Sequence, residues 1–153
     1  MTEMMSPAEV ARMLAGASDE AVRVAVEVLA EDASNAAWRA QVGPCLTQGA
    51  AADILGITPQ GVAKRADAAE ILRVPNGDGR PAYPMFQFHG RGVLDGLPAV
   101  LRRLRAVDEA LTVASWLTTP KRSLSGRTPV EELRGGGAEA VLAAADDYLA
   151  RSA

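Results

Sequence analysis

Aromatic side chains make up only 4% of this 153-residue chain, and it has one cysteine and one histidine. With so few rings, a core has to be assembled from Ala, Val and Leu. The lone Cys45 excludes an internal disulfide, has no ligand-spaced partner, and reads as a small buried apolar residue. The lone His89 cannot build a histidine-rich metal site, and no nucleophile or carboxylate constellation surrounds it, so it reads as a packed or solvated imidazole. Paired acids in distinct environments, a nucleophile with its base and a complete phosphate loop are all missing. No enzymatic activity, cofactor or metal is therefore expected. Asn76 and Asp78 are too few oxygen ligands for a calcium loop. Gly135-Gly136-Gly137 lacks the preceding strand and following Lys-Ser/Thr of a phosphate loop, and reads as a helix-ending linker. No apolar run reaches bilayer length, and the N-terminus lacks the basic start and apolar core of a signal peptide. A cytoplasmic protein without membrane contact is expected.

Charge is modest and unevenly placed. The net charge is −3, with fourteen Arg against two Lys. Residues 1–40 carry seven acids and three bases, whereas the stretches that follow are balanced to within one charge. An acidic N-terminal part repels DNA and has to face away from it, so the electrostatics permit nucleic-acid binding without demanding it.

The most informative stretch runs from Thr47 to Arg65. Gln48 to Leu55 has helical spacing at Ala51, Ile54 and Leu55, Gly56 stops it, and Thr58-Pro59 caps and starts a second helix. Ala52 leaves room for the two helices to cross, and Ile57 and Val62 close the small core between them. This is helix-turn-helix spacing, with an ordinary helical corner as the alternative. For DNA recognition, Gln60 suits adenine, Arg65 suits guanine and Lys64 suits phosphate, with Thr58 at the helix start. Arg65 stands where such motifs usually carry an apolar residue. A hairpin follows: Ile71 to Val74 as one strand, Pro75 to Gly79 as the turn, and Arg80 to Tyr83 as the return, short or at an edge because of Pro81 and Pro84. It is either a wing that brings Arg73 and Arg80 to the phosphates or minor groove, or a cover for the core. Tyr83, Phe86 and Phe88 plug the seam behind it, and Gly90, Gly92 and Gly96 mark a flexible joint.

On either side lie further helices. Ser6-Pro7-Ala8-Glu9 starts a short one, and Ser18 or Asp19 opens a longer one with two apolar stripes, which suits burial or self-association. Downstream, Leu97, Val100, Leu101, Leu104, Val107, Leu111 and Ala114 predict one long amphipathic helix up to Trp116, with Arg102, Arg103 and Arg105 on its solvated face. Thr128-Pro129-Val130-Glu131 starts a helix of a turn or two, and Val141, Leu142, Ala145, Tyr148 and Leu149 line one face of the last.

Trp116-Leu117, followed by Leu124-Ser125-Gly126-Arg127-Thr128-Pro129 and Leu133, resembles antitoxins of the MbcA/ParS/Xre type, and the resemblance extends from about residue 45 to the end. It implies a DNA-binding N-terminal part, a C-terminal toxin-binding domain, occlusion of a RES-domain toxin that consumes or transfers from NAD, and repression of the shared operon. Carried to this chain, the toxin-binding residues are Trp116, Leu124, Arg127, Thr128, Pro129, Leu133, Tyr148 and Leu149. Arg127 either pairs with an acidic group of the partner or ties the loop to its own helix, and the adjacent glycine favours the tether. The extra acidic N-terminal helices and the triple glycine depart from the simplest members. The expected fold is mainly α: N-terminal helices over residues 1–40, a helix-turn-helix with a β-hairpin wing over 41–90, and a small all-α toxin-binding domain over 91–153. Expected partners are a RES-domain toxin, operator DNA and a second copy in a homodimer or toxin–antitoxin hetero-oligomer. A stand-alone helix-turn-helix regulator is the alternative.

Overall fold

A computed structural model gives the fold and describes residues 42–75 and 79–152. The two helices expected before residue 40, their self-association surface and the Asn76–Asp78 loop tip lie outside the described residues. Within them the chain is mainly helical, with a small antiparallel sheet. Strand β1 (Cys45–Leu46) leads into helices α1 (Gln48–Leu55) and α2 (Pro59–Asp67), followed by β2 (Val74–Pro75) and β3 (Pro81–Pro84). A 3₁₀ turn (Met85–Gln87) and a two-stranded hairpin, β4 (Phe88–His89) and β5 (Gly92–Val93), come next. Four helices complete the chain: α3 (Leu97–Arg105), α4 (Ala110–Leu117), α5 (Pro129–Arg134) and α6 (Ala138–Ser152).

Local chemistry sets the boundaries of α1 and α2 where the sequence placed them. The Thr47 hydroxyl accepts from Ala50 N at 3.1 Å, and Gly56 leaves α1 at φ 68° while Ile57 N returns to Ala52 O at 3.1 Å. That left-handed exit carries almost no steric cost for glycine. Thr58 then caps α2 through Gly61 N at 3.0 Å, with Pro59 in the first helical turn. Ala50, Ala51, Ala52, Ile54 and Val62 are buried together with Leu46, Ile71, Tyr83, Met85 and Phe88, which makes a first core in which the small residues of α1 pack against larger aliphatic and aromatic ones.

The sheet differs from expectation. Strand β3 is central, not an edge: Cys45 pairs with Pro84 and Leu46 with Tyr83 on one side, and Val74 with Ala82 and Pro75 with Pro81 on the other. Its prolines sit at the two ends, so Ala82 and Tyr83 keep N–H groups for the ladder. Ile71 and Leu72 are not in the ladder. Leu72 is held instead by the Gln87 amide, which accepts from Leu72 N at 2.7 Å and donates to Leu72 O at 2.8 Å and to Pro84 O at 3.1 Å. Gln87 is fully buried, and the sequence reading passed over it.

The expected long helix is also two helices. The chain turns after Arg105, where Asp108 N bonds Leu104 O at 2.8 Å, the Arg105 guanidinium donates to Asp108 O, and Asp108 accepts the Tyr148 hydroxyl at 2.8 Å. Val107, expected on the buried stripe, is 64% exposed at this corner. The glycines near residue 90 form the β4–β5 hairpin in place of a loose joint, with Phe88 paired to Val93 and His89, exposed, to Gly92.

The second core does not respect the expected division near residue 90. It joins Val42, Cys45, Leu72, Val74 and Ala82 with Leu97, Leu101, Leu104, Val113, Trp116, Leu124, Leu133, Val141 and Ala145. Helix α4 packs on β2, and Arg134 on α5 donates to Phe86 O at 2.8 Å. A chain cut after Gly96 should therefore lose cooperative unfolding, because most of that core leaves with the C-terminal helices. Gln87→Leu should lower unfolding stability in urea by about 2–5 kcal/mol, since it strands three buried backbone groups. A loss under about 0.5 kcal/mol, the size of an ordinary surface change, would remove Gln87 from that role.

Candidate nucleic-acid interface

The face of α2 turned to solvent carries Gln60, Lys64 and Arg65, all exposed, with Thr58 at its start. Gln60 and Lys64 lie one turn apart and so share a ridge of the helix. Thr58 spends its acceptor on Gly61 N, which leaves its O–H proton for an anion. Gly61 keeps this turn tight, as an added Cβ would meet Thr58 Oγ1 at 3.3 Å and Ile57 Cδ1 at 3.5 Å. A shallow cleft of ≈ 360 Å³ runs along the helix between Gly61, Lys64, Arg65 and Glu70. Arg65 projects to solvent, consistent with a position that is not used for packing.

The hairpin arginines separate into two roles. Arg73 lies in an ion pair with Asp67 at 2.7 Å, and this hydrogen bond, followed by the weaker influence of Tyr83, holds its pKa above the ordinary value. The Tyr83 hydroxyl in turn donates to Gln48 Oε1 at 2.9 Å. Burial raises the Tyr83 pKa, so it stays a neutral donor. Gln48, Tyr83, Arg73 and Asp67 thus tie α1, β3 and α2 together, and Arg73 serves as a tether more than as a free phosphate contact. Arg80 stands exposed at the foot of the hairpin, between Gly79 and Pro81.

Most other described arginines are engaged. Arg102 meets Glu70 at 3.9 Å, Arg103 meets Asp146 at 3.0 Å, Arg127 meets Glu132 at 2.6 Å, and Arg91 donates to Asp53 O at 3.1 Å. Lys64 and Arg65 make no such contact among the described residues. Charge withdrawn elsewhere therefore remains available on α2.

Half of the residues assigned to toxin binding fall in the core. Trp116, Leu124 and Leu133 are 7%, 3% and 3% exposed, and Pro129 is buried with them, so their side chains are spent on this chain's own packing. Arg127 ties the loop to Glu132 on α5, which is the tethering role. Thr128 forms a full capping box with Glu131, accepting from its N–H at 3.0 Å while the Glu131 carboxylate accepts from Thr128 N at 2.8 Å. Tyr148 and Leu149 are the apolar members left half-exposed. The sequence reading missed Gln87, whose signal was an isolated amide in an otherwise apolar stretch, and Asp67, whose role depends on a partner six residues on.

No family model matches the chain, and no curated protein matches it. Among solved structures it is similar to the NMR structure of Rv2175c, with a TM-score of 0.61 over 69% of this chain and 80% of that one, at 24% identity. At that identity the likeness is one of fold.

The capping box gives a pH prediction. Backbone and side-chain hydrogen bonds from Thr128 hold the Glu131 carboxyl below its ordinary value. Its folded pKa is depressed, so its contribution is present above the unfolded value and is lost as pH falls through the folded one. Glu131→Gln should flatten that part of the acid-unfolding profile below about pH 4, as followed by far-UV circular dichroism. An unchanged profile would mean that the box contributes nothing in solution.

Proposed function

We propose that this protein binds duplex DNA sequence-selectively, as a helix-turn-helix regulator with a wing. Helix α2 enters the major groove and the β2–β3 hairpin lies alongside it. The observation that carries the reading is the exposed surface of α2, where Gln60 and Lys64 share a ridge, Arg65 follows, and neither cation has a carboxylate partner among the described residues. Gln60 and Arg65 read base edges, and Lys64 together with the Thr58 hydroxyl holds phosphates. The short turn at Gly56 joins α2 directly to α1, and the Gln48–Tyr83–Arg73–Asp67 network ties both to the hairpin. On this reading Arg80, exposed beside β3, contacts the backbone or the minor groove.

The antitoxin reading keeps one supporting observation. Tyr148 and Leu149 stay half-exposed on α6, which packs against the 3₁₀ turn at Arg122–Leu124. A RES-domain toxin bound there would meet this rim, because the buried Trp116, Leu124, Pro129 and Leu133 can only support it from beneath. Its test is co-purification with the product of an adjoining reading frame; absence of a RES-type neighbour leaves the stand-alone regulator.

In gel shifts on its own upstream region, Lys64→Ala should weaken binding across sequences and reduce the salt slope by about one. Gln60→Ala should cost about 1–3 kcal/mol and relax preference at one base position. Binding as a dimer should space the half-sites by about one helical turn, ~34 Å. Equal affinity for that region and for random DNA would falsify the regulator reading.

A further inference from the structure

A second group of cations without a carboxylate partner among the described residues lies away from α2. Between the turn that follows α4 and the last turns of α6 is a cleft of ≈ 430 Å³ lined by Pro120, Lys121, Arg122, Ser123, Asp147 and Arg151. We infer that this cleft is a binding site for a small phosphate monoester that also carries a hydrogen-bond donor, such as a sugar phosphate. The site shares no residue with the α2 face, and the inference does not depend on DNA binding.

The turn that builds the cleft is pre-organised. Lys121 O accepts from Leu124 N at 3.0 Å and from Gly126 N at 2.9 Å, and Lys121 N donates to Arg127 O at 3.0 Å. Leu124 is buried beneath it, and Ser125 sits at φ 59°, a left-handed conformation that a non-glycine residue adopts only when its surroundings hold it there. The Lys121 side chain does not swing freely. Its ammonium lies 4.8 Å from the centroid of the Trp116 ring, which in turn meets the Tyr148 ring at 6.0 Å, tilted by 50°. This is cation–π range, so one charge is fixed at the wall of the cleft.

The charges converge without neutralising one another. Lys121, Arg122 and Arg151 have no carboxylate within 4.0 Å among the described residues, unlike Arg103 and Arg127 on neighbouring elements. Asp147 and Arg151 are a turn apart on α6, the spacing of a helix ion pair, yet they do not pair. Partial burial lowers the Lys121 pKa, which marks an ammonium that has lost water without gaining a counter-charge. A phosphate dianion supplies that counter-charge. Arg122 and Arg151 can each present a fork of donors to its oxygens, the Ser123 hydroxyl adds a further donor, and Lys121 acts as a point charge. Asp147 repels a bare anion, but it accepts from a hydroxyl or amine on the ligand body. The presence of that carboxylate among three cations selects an ester over free phosphate. The cleft also falls within the size range of small-molecule sites, about 300–1,000 Å³.

The test uses the full chain, following amide chemical shifts during titration with ribose 5-phosphate, inorganic phosphate and duplex DNA. Ribose 5-phosphate should give saturating shifts at the amides of Lys121 to Arg127 and of Arg151, at millimolar concentration or below. Arg122→Ala and Arg151→Ala, both exposed and outside the core, should each weaken it by about tenfold, the size of one charge-assisted hydrogen bond. Lys64→Ala should leave it unchanged. Asp147→Asn should weaken ribose 5-phosphate while leaving inorganic phosphate unaffected or tighter. Absence of saturation overturns the inference. So does inorganic phosphate binding as tightly as the ester, or duplex DNA shifting these amides and losing affinity with Arg122→Ala.

Discussion

The primary amide of Gln87 takes the place of a missing strand. After α2 the chain leaves the helix through Ala69 at φ 57° and runs to β2 with Ile71 and Leu72 both buried. Buried backbone N–H and C=O groups need partners, and the sheet does not reach Leu72. Gln87 offers one acceptor and one donor side by side, as a peptide edge would, and binds both groups of Leu72 as well as Pro84 O. Its own carbonyl then accepts from Leu94 N at 2.9 Å, just before α3. One residue thereby fixes the exit from α2, the strand β3 and the approach to the C-terminal helices. Because Ile71 and Leu72 face opposite sides of this junction, one enters each core.

That junction also explains why the molecule is not divided where its glycines suggested. Gly96 begins α3 at φ 87°, and a Cβ there would stand 2.5 Å from the Ala138 Cβ at the start of α6. The glycine is a point of close approach between helices more than a hinge. With Arg134 fastened to Phe86 O and α4 lying on β2, the C-terminal helices complete the hydrophobic floor beneath the hairpin. Helices α1 and α2 are therefore carried on a body that includes the C-terminal helices.

Features governed by neighbours in sequence were legible, and those governed by distant partners were not. Gly56, Thr58-Pro59 and Thr128-Pro129-Val130-Glu131 each carry their instruction within four residues, and their helices start and stop where those residues say. The hairpin was visible in its turn formers, but β3 gained a second neighbour, β1, from a two-residue segment with no periodicity to reveal it. The break after Arg105 was hidden because apolar spacing continues through Val107, while the cause, Asp108 held by Tyr148, lies forty residues away. Within the candidate interface, Gln60, Lys64 and Arg65 were readable as outward positions. The diversion of Arg73 to Asp67 was not, since helical and strand periodicity say nothing about which cation meets which acid. For Trp116, Leu124, Pro129 and Leu133, a motif that suggested a partner surface coincides with core positions, where burial alone accounts for residue type.

The same pairing decides where a chain of net charge −3 can meet a polyanion at all. Exposed ion pairs add little to stability, so their main effect here is on the field around the molecule. Asp67 cancels Arg73, Glu70 stands against Arg102, and Asp146 cancels Arg103, which removes three arginines that would otherwise spread positive potential over the hairpin and α3. Lys64 and Arg65 remain uncancelled among the described residues, adjacent and exposed in the last turn of α2. Since screening confines surface potentials to about 8–10 Å, DNA approaching at physiological salt is attracted chiefly where uncancelled charges are adjacent. By cancelling Arg73, Asp67 keeps positive potential off the hairpin and leaves the uncancelled cations of the described residues grouped in two places, Lys64 and Arg65 on α2 and Lys121, Arg122 and Arg151 at the cleft beside α6.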